Sequence, residues 1–208
     1  MKYYVRTTGD RQFSYDINYE VLVDTERKPI RSFIDQLKYI SNDDAVLLED
    51  DVILCKNFKE RIEEVVAQHP NCVINFFEDP FVFYLTETRP GIKYRYNQCT
   101  YYPKGVAKTI ADKMEEIWPE HQNEKNYDFL QSYAMDVLGM SYISYRPCLV
   151  QHKHMDSIIN PNLRFRSTLY FADYIDELGV DYKDVTKFKN NIDLQRIKSK
   201  HLPWKKQS

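Results

Sequence analysis

The chain has 208 residues, 43% of them hydrophobic and 14% aromatic, which suffices for one α/β domain with a full core and is too short for two complete enzyme domains. Its 29 basic and 31 acidic residues leave a formal charge of -2, so no global field holds it on nucleic acid or a membrane, and any such binding has to be local. No apolar run approaches the ~20 residues that cross a bilayer, and the opening Met1, Lys2, Tyr3, Tyr4, Val5 lacks the apolar centre of a secretory signal. Cys55, Cys72, Cys99 and Cys148 are widely spaced and read as reduced thiols, so a cytoplasmic protein without a membrane span is expected.

Short apolar runs over 2–7, 20–23, 45–48, 72–77 and 141–144 predict strands. Between them, 30–40, 57–68, 104–118 and 127–138 carry apolar residues at three- and four-residue spacing and predict helices. Alternation of this kind implies one domain with a mixed, mainly parallel sheet sandwiched by helices, in which ligands collect at the carboxyl ends of the strands. Repeats, low-complexity tracts and the Gly-rich dinucleotide fingerprint are absent, and the five glycines are scattered. Residues 84–103 are polar, rich in tyrosine and poor in periodicity, and are expected to form a long loop. Residues 195–208 carry Arg196, Lys198, Lys200, Lys205 and Lys206 without an acid, as a solvated tail or a flap over a phosphate-bearing ligand would.

The most informative segment is 45–54, where the apolar run Ala45, Val46, Leu47, Leu48 meets Glu49, Asp50 and Asp51 and then resumes as Val52, Ile53, Leu54. Adjacent carboxylates in apolar surroundings are costly unless a cation or donor groups stabilise them, so a divalent ion is a natural partner. Hard oxygen ligands suit Mn²⁺ or Mg²⁺, which keep positions open for substrate phosphates. The competing reading is a solvated turn with one acid capping the following helix, a task that needs one carboxylate rather than three.

The run from Leu47 to Phe58 resembles the metal-binding motif of GT-A glycosyltransferases, a Rossmann-like fold in which variants of Asp-x-Asp end a strand and a helix follows after Asn-Phe. By position, the resemblance implies Asp51 as metal ligand, Glu49 as ribose contact and Asp50 as the residue that orients the loop. Residues 145–157, with Pro147, Leu149, Val150, Gln151 and His152, resemble a second pattern of that family, which makes His152 a metal or diphosphate contact. Lys153 and His154 depart from the family pattern and make His154 the alternative ligand, and surface histidines in a polar loop are the competing reading. Arg164, Arg166 and Ser167 lie in a segment resembling the part that closes over the donor, where guanidinium groups suit a diphosphate.

Asp128, in the first turn of the predicted helix 127–138, is placed like the general base of related inverting enzymes, with helix-dipole stabilisation as the competing role. The segment 4–11 resembles the first strand and turn of a nucleotide-binding half and puts Thr7 and Arg11 near the nucleobase or phosphate, with Asp24 a further base contact. The resemblance spans residues 1–170, and 171–208 is expected to form a helical, basic extension packed on the same domain.

The resemblance thus implies a metal-dependent hexosyltransferase with a nucleotide-sugar donor, UDP-sugars first, acting with inversion. Its acceptor is a glycan or a hydroxymethylated DNA base. Residues 89–108, with five cations, four tyrosines and no acid, suit either phosphates and bases or sugar rings. A metal-dependent nuclease or phosphotransferase, and a noncatalytic nucleotide-binding module, are the alternatives.

Overall fold

In the computed structural model, which describes residues 1–78, 96–121, 126–153, 168 and 171–179, β1 (Lys2–Thr7) and β3 (Ala45–Glu49) lie side by side and are buried along almost their whole length. Such uninterrupted burial is what covering both faces of a parallel sheet demands. β2 (Glu20–Val23) pairs parallel to β1 on the outer side. On the inner side come β6 (Cys99–Tyr102), β5 (Val73–Asn75) and β7 (Tyr142–Ser144), giving the order β2-β1-β3-β6-β5-β7. Only β6 runs against the other five, so the fold is α/β with a mixed, mostly parallel central sheet.

Helices cover both faces. On one, α1 (Pro29–Ile40), α3 (Val106–Ile117) and α4 (Tyr127–Val137) pack on Tyr4, Ala45, Leu47 and Tyr102. α1 presents Ile30, Phe33, Ile34, Leu37 and Ile40 inward, a three- and four-residue spacing that makes one apolar stripe. Pro29 suits its first position because that amide has no helical partner. On the opposite face, α2 (Phe58–Gln68) and α5 (Ala172–Leu178) meet Tyr3, Val5, Val46 and Leu48 through Phe58, Ile62, Val65 and Ala172. α5 is tied to α2 by an Arg61–Asp176 ion pair and to the preceding turn by Asp173, whose Oδ1 accepts from the Lys56 amide at 2.9 Å. A separate two-stranded ribbon, β4 (Val52–Leu54) against β8 (Val150–His152), packs its Val52 and Val150 into the same core.

The loop expected over 84–103 is corrected where it is described. Cys99–Tyr102 is a fully buried strand in the middle of the sheet, while 84–95 lies outside the described residues. Its alternation sends Cys99 and Tyr101 to one core and Tyr102 to the other. The polar groups are satisfied internally: the Tyr101 hydroxyl donates to the Pro70 carbonyl at 3.0 Å, and Gln131 Nε2 donates to the Tyr102 hydroxyl at 3.1 Å. Tyr96, Tyr101 and Tyr102 are therefore not available to stack bases, and Lys108 pairs with Asp112 on its own helix, so the described part of 89–108 forms no basic aromatic surface. The four cysteines are free thiols, and among the described residues no helix is long and apolar enough to cross a membrane.

Candidate functional site

β1 and β3 run parallel as neighbours, so their carboxyl ends, Thr7 and Glu49, emerge together at one edge of the sheet. Immediately past β3, Asp50 and Asp51 form a tight turn and the chain enters β4. The ribbon register pairs Val52 with His152, and the Lys153 amide donates to the Asp51 carbonyl at 2.6 Å. This pairing brings the imidazole to its carboxylate: His152 Nε2 lies 3.4 Å from Asp51 Oδ2 across a separation of about a hundred residues.

The turn after β1 delivers the remaining partners. The Thr7 hydroxyl donates to Asp50 Oδ2 at 2.5 Å and itself accepts from the Gly9 amide at 2.9 Å. Gly9 adopts φ +81°, a left-handed conformation that residues with a Cβ rarely take. The chain then turns back so that Arg11 Nη1 reaches Asp50 Oδ1 at 3.0 Å and Asp51 Oδ2 at 2.6 Å.

The three acids have different environments. Glu49 faces α4, where the Tyr127 hydroxyl donates to it and Arg6 Nη1 lies 3.7 Å away. The Arg6 guanidinium sits over the rings of Tyr127 and Phe33, 4.1 and 5.0 Å from their centroids. Asp50 is held by Thr7 and Arg11. Asp51 receives Arg11 and His152 on Oδ2, while its Oδ1 is buried and accepts no hydrogen bond among the described residues.

These settings push the outer carboxyls apart. Burial and the nearby Asp51 charge raise the Glu49 carboxyl above the usual range, with Arg6, Tyr127 and His152 opposing them. Burial also works against ionisation of Asp51, but the hydrogen bond and charge of His152 and the Arg11 guanidinium outweigh it and bring that carboxyl down to about 2. Asp51 is thereby kept ionised, with one oxygen unused among the described residues.

Of the other predicted site residues, Asp24 is buried beside the end of β1. Its amide donates to the Thr7 carbonyl at 2.8 Å, and its Oδ1 accepts from the Lys28 amide at 3.3 Å, which steadies the entry to α1. Asp128 is half-buried in the first turn of α4 and accepts from the Tyr96 amide at 3.4 Å. Its neighbour Tyr127 links that turn to Glu49. Arg164, Arg166, Ser167 and His154 lie outside the described residues.

Four further residues complete the site. Arg6 and Tyr127 hold Glu49, the Tyr15 hydroxyl donates to the Glu49 carbonyl at 2.8 Å, and Lys153 Nζ lies 5.3 Å from the centre of the Tyr15 ring. A cleft of about 530 Å³ opens beside the ribbon, lined by Tyr15, Asp16, Leu54, Asn57, Lys59 and Lys153 among others. Asp51 and His152 do not line it, but Tyr15 and Lys153 contact both the cleft and the acid turn. Among the described residues no group of three or more His, Cys, Asp or Glu is arranged as a metal cage. Asp51 and His152 together offer a carboxylate oxygen and an imidazole nitrogen, a two-donor set that matches ions which take their remaining ligands from phosphates and water.

No family model, no curated protein and no solved structure matches the chain.

Proposed function

We propose that the chain is a metal-dependent glycosyltransferase of the GT-A type, taking a sugar from a nucleotide-sugar donor, UDP-sugars first, to an acceptor hydroxyl on a glycan or a hydroxymethylated DNA base. The observation that carries this reading is the meeting of Asp51 and His152 at 3.4 Å, with Asp51 Oδ1 buried and without a hydrogen-bond partner among the described residues, at the carboxyl edge of a mostly parallel sheet. The ribbon joining the acid turn to the His segment also supports it. The wider family assignment rests on the motif resemblance.

The buried Asp51 oxygen and the adjacent imidazole fit Mn²⁺ or Mg²⁺, whose chemistry here is neutralisation of the departing diphosphate. The rest falls to the chain's own groups. Thr7 fixes the orientation of Asp50, and before an ion binds Arg11 holds Asp50 and Asp51 in place. Glu49, braced by Tyr127 and Arg6, is the ribose contact, and Asp24 supports the base-binding edge of the sheet. Asp128 takes the proton from the acceptor hydroxyl as that oxygen attacks the anomeric carbon, giving inversion in a single displacement. Arg164 and Arg166 are assigned to the donor diphosphate.

The test is a thermal-shift panel of UDP-, GDP-, CMP- and dTDP-sugars with and without Mn²⁺, run on the wild type and Asp51→Asn. A UDP-sugar is expected to raise the wild-type melting temperature only with Mn²⁺ and to leave Asp51→Asn unmoved. Slow donor hydrolysis by the wild type should accompany the shift. No shift with any nucleotide sugar overturns the reading, and phosphodiester cleavage without a donor replaces it with a nuclease.

A further inference from the structure

The acid turn already contains a cation. Arg11 Nη1 lies 2.6 Å from Asp51 Oδ2 and 3.0 Å from Asp50 Oδ1, and the Arg11 side chain is only 11% exposed. His152 Nε2 approaches the same Asp51 oxygen at 3.4 Å. Oδ2 is thus fully engaged, whereas the other oxygen of the same carboxylate is buried without a partner among the described residues.

Arg11 comes from the irregular segment between β1 and β2, so its reach is set by a turn rather than by the sheet. A side chain on such a segment can withdraw without breaking a strand ladder. The carboxylates cannot withdraw as easily: Asp51 is followed directly by β4, and its own carbonyl accepts from Lys153.

From these contacts we infer that Arg11 is the resident counter-ion of Asp50 and Asp51, and that a divalent cation binding Asp51 does so against Arg11, which gives up its contact as the ion arrives. The inference rests on the reading of Asp51 as a metal ligand. Two cations on one carboxylate repel strongly when the site is shielded from water, so the ion and the guanidinium compete for the same charge. The unused Oδ1 gives the incoming ion a first point of attachment before Arg11 leaves Oδ2. Arg11 thereby sets how weakly the protein holds a free ion, and its release leaves a guanidinium at the site edge for an anionic ligand.

Mn²⁺ alone, titrated into the protein and followed by the electron paramagnetic resonance signal of the free ion, tests this. Arg11→Gln, which keeps hydrogen-bonding length but not charge, is expected to bind Mn²⁺ about tenfold more tightly than the wild type. Arg11→Lys, which keeps the charge, is expected to stay within about twofold of the wild type, and Asp51→Asn to lose binding. Circular dichroism melting of each variant confirms that the comparison is between folded proteins, and Arg11→Met serves in place of Arg11→Gln if that variant does not fold. If the wild type binds Mn²⁺ and the uncharged variant binds it no more tightly, the competition is refuted while the metal reading stands. Equal tightening by Arg11→Lys and Arg11→Gln refutes it as well, because charge would then not be the cause. Absence of Mn²⁺ binding by both the wild type and Arg11→Gln removes the metal reading and this inference together.

Discussion

The Tyr127 hydroxyl donates to the Glu49 carboxylate and so ties the first turn of α4 to the carboxyl end of β3. The same ring packs 4.7 Å from Phe33 and lies under the Arg6 guanidinium, so the hydroxyl is the only part of Tyr127 that a phenylalanine would remove. Tyr127→Phe is expected to keep the fold and to cost about 1–2 kcal/mol in urea unfolding, because a half-buried carboxylate loses a donor. In a Glu49→Gln background the cost should fall by more than half, since a neutral amide needs the donor less. Equal losses in both backgrounds would show that the hydroxyl and the carboxylate are not coupled.

Arg6 is the other support of Glu49 and carries a larger consequence. Arg6→Met retains much of the apolar packing against Phe33 and Tyr127 but leaves a half-buried carboxylate without its counter-charge. A loss of about 3–5 kcal/mol is expected, and Arg6→Met with Glu49→Gln should recover most of it. Denaturant midpoints of the two single variants and the double variant give the answer. A double variant no more stable than Arg6→Met would mean that the guanidinium acts by packing and not by charge.

Much of this architecture could be read in the sequence, for physical reasons that differ from element to element. α1 was legible because Ile30, Phe33, Ile34, Leu37 and Ile40 recur at helical spacing, and β3 because four apolar residues stop at three acids. β4 and β8 were not, because each has three residues and their partner is a hundred positions away. Only the resemblance of the His152 segment hinted that it belongs with Asp51, while the register that joins them is a tertiary property. β6 reads as loop because Asn97, Gln98 and Thr100 look solvated, yet all three are buried. The role of Arg6 is not legible because a charge inside a strand normally reads as exposed, and its aromatic cradle comes from two helices that only folding brings near.

The central position of β3 makes its apolar residues a direct test of the layered core. Leu47 is fully buried between β1 and β6 and packs toward α1, α3 and α4, whereas Val21 on β2 is 44% exposed. Leu47→Ala is expected to cost about 2–5 kcal/mol and Val21→Ala less than about 1 kcal/mol. Thermal melts of the two variants suffice to compare them. Similar melting temperatures would contradict the burial of β3.

The acid turn should also appear in the pH dependence of stability. Asp51 titrates near 2 in the folded chain against an ordinary value of 3.8, so its ionised form is favoured by folding. That contribution, about 2 kcal/mol, is fully present above pH ~4 and is lost as the pH falls through ~2. Glu49 has the opposite sign: its folded value is raised, so its contribution is full below its ordinary value of 4.5 and is lost as the pH rises through the folded value. Asp51→Asn should therefore flatten the acid limb of a stability profile measured by urea unfolding between pH 2 and pH 8. Glu49→Gln, which can still accept from Tyr127, should leave that limb in place and remove the opposing loss at higher pH, so that stability gains more between acid and neutral pH than in the wild type. An acid limb unchanged by Asp51→Asn would mean that Arg11 and His152 do not stabilise the Asp51 carboxylate as their distances require.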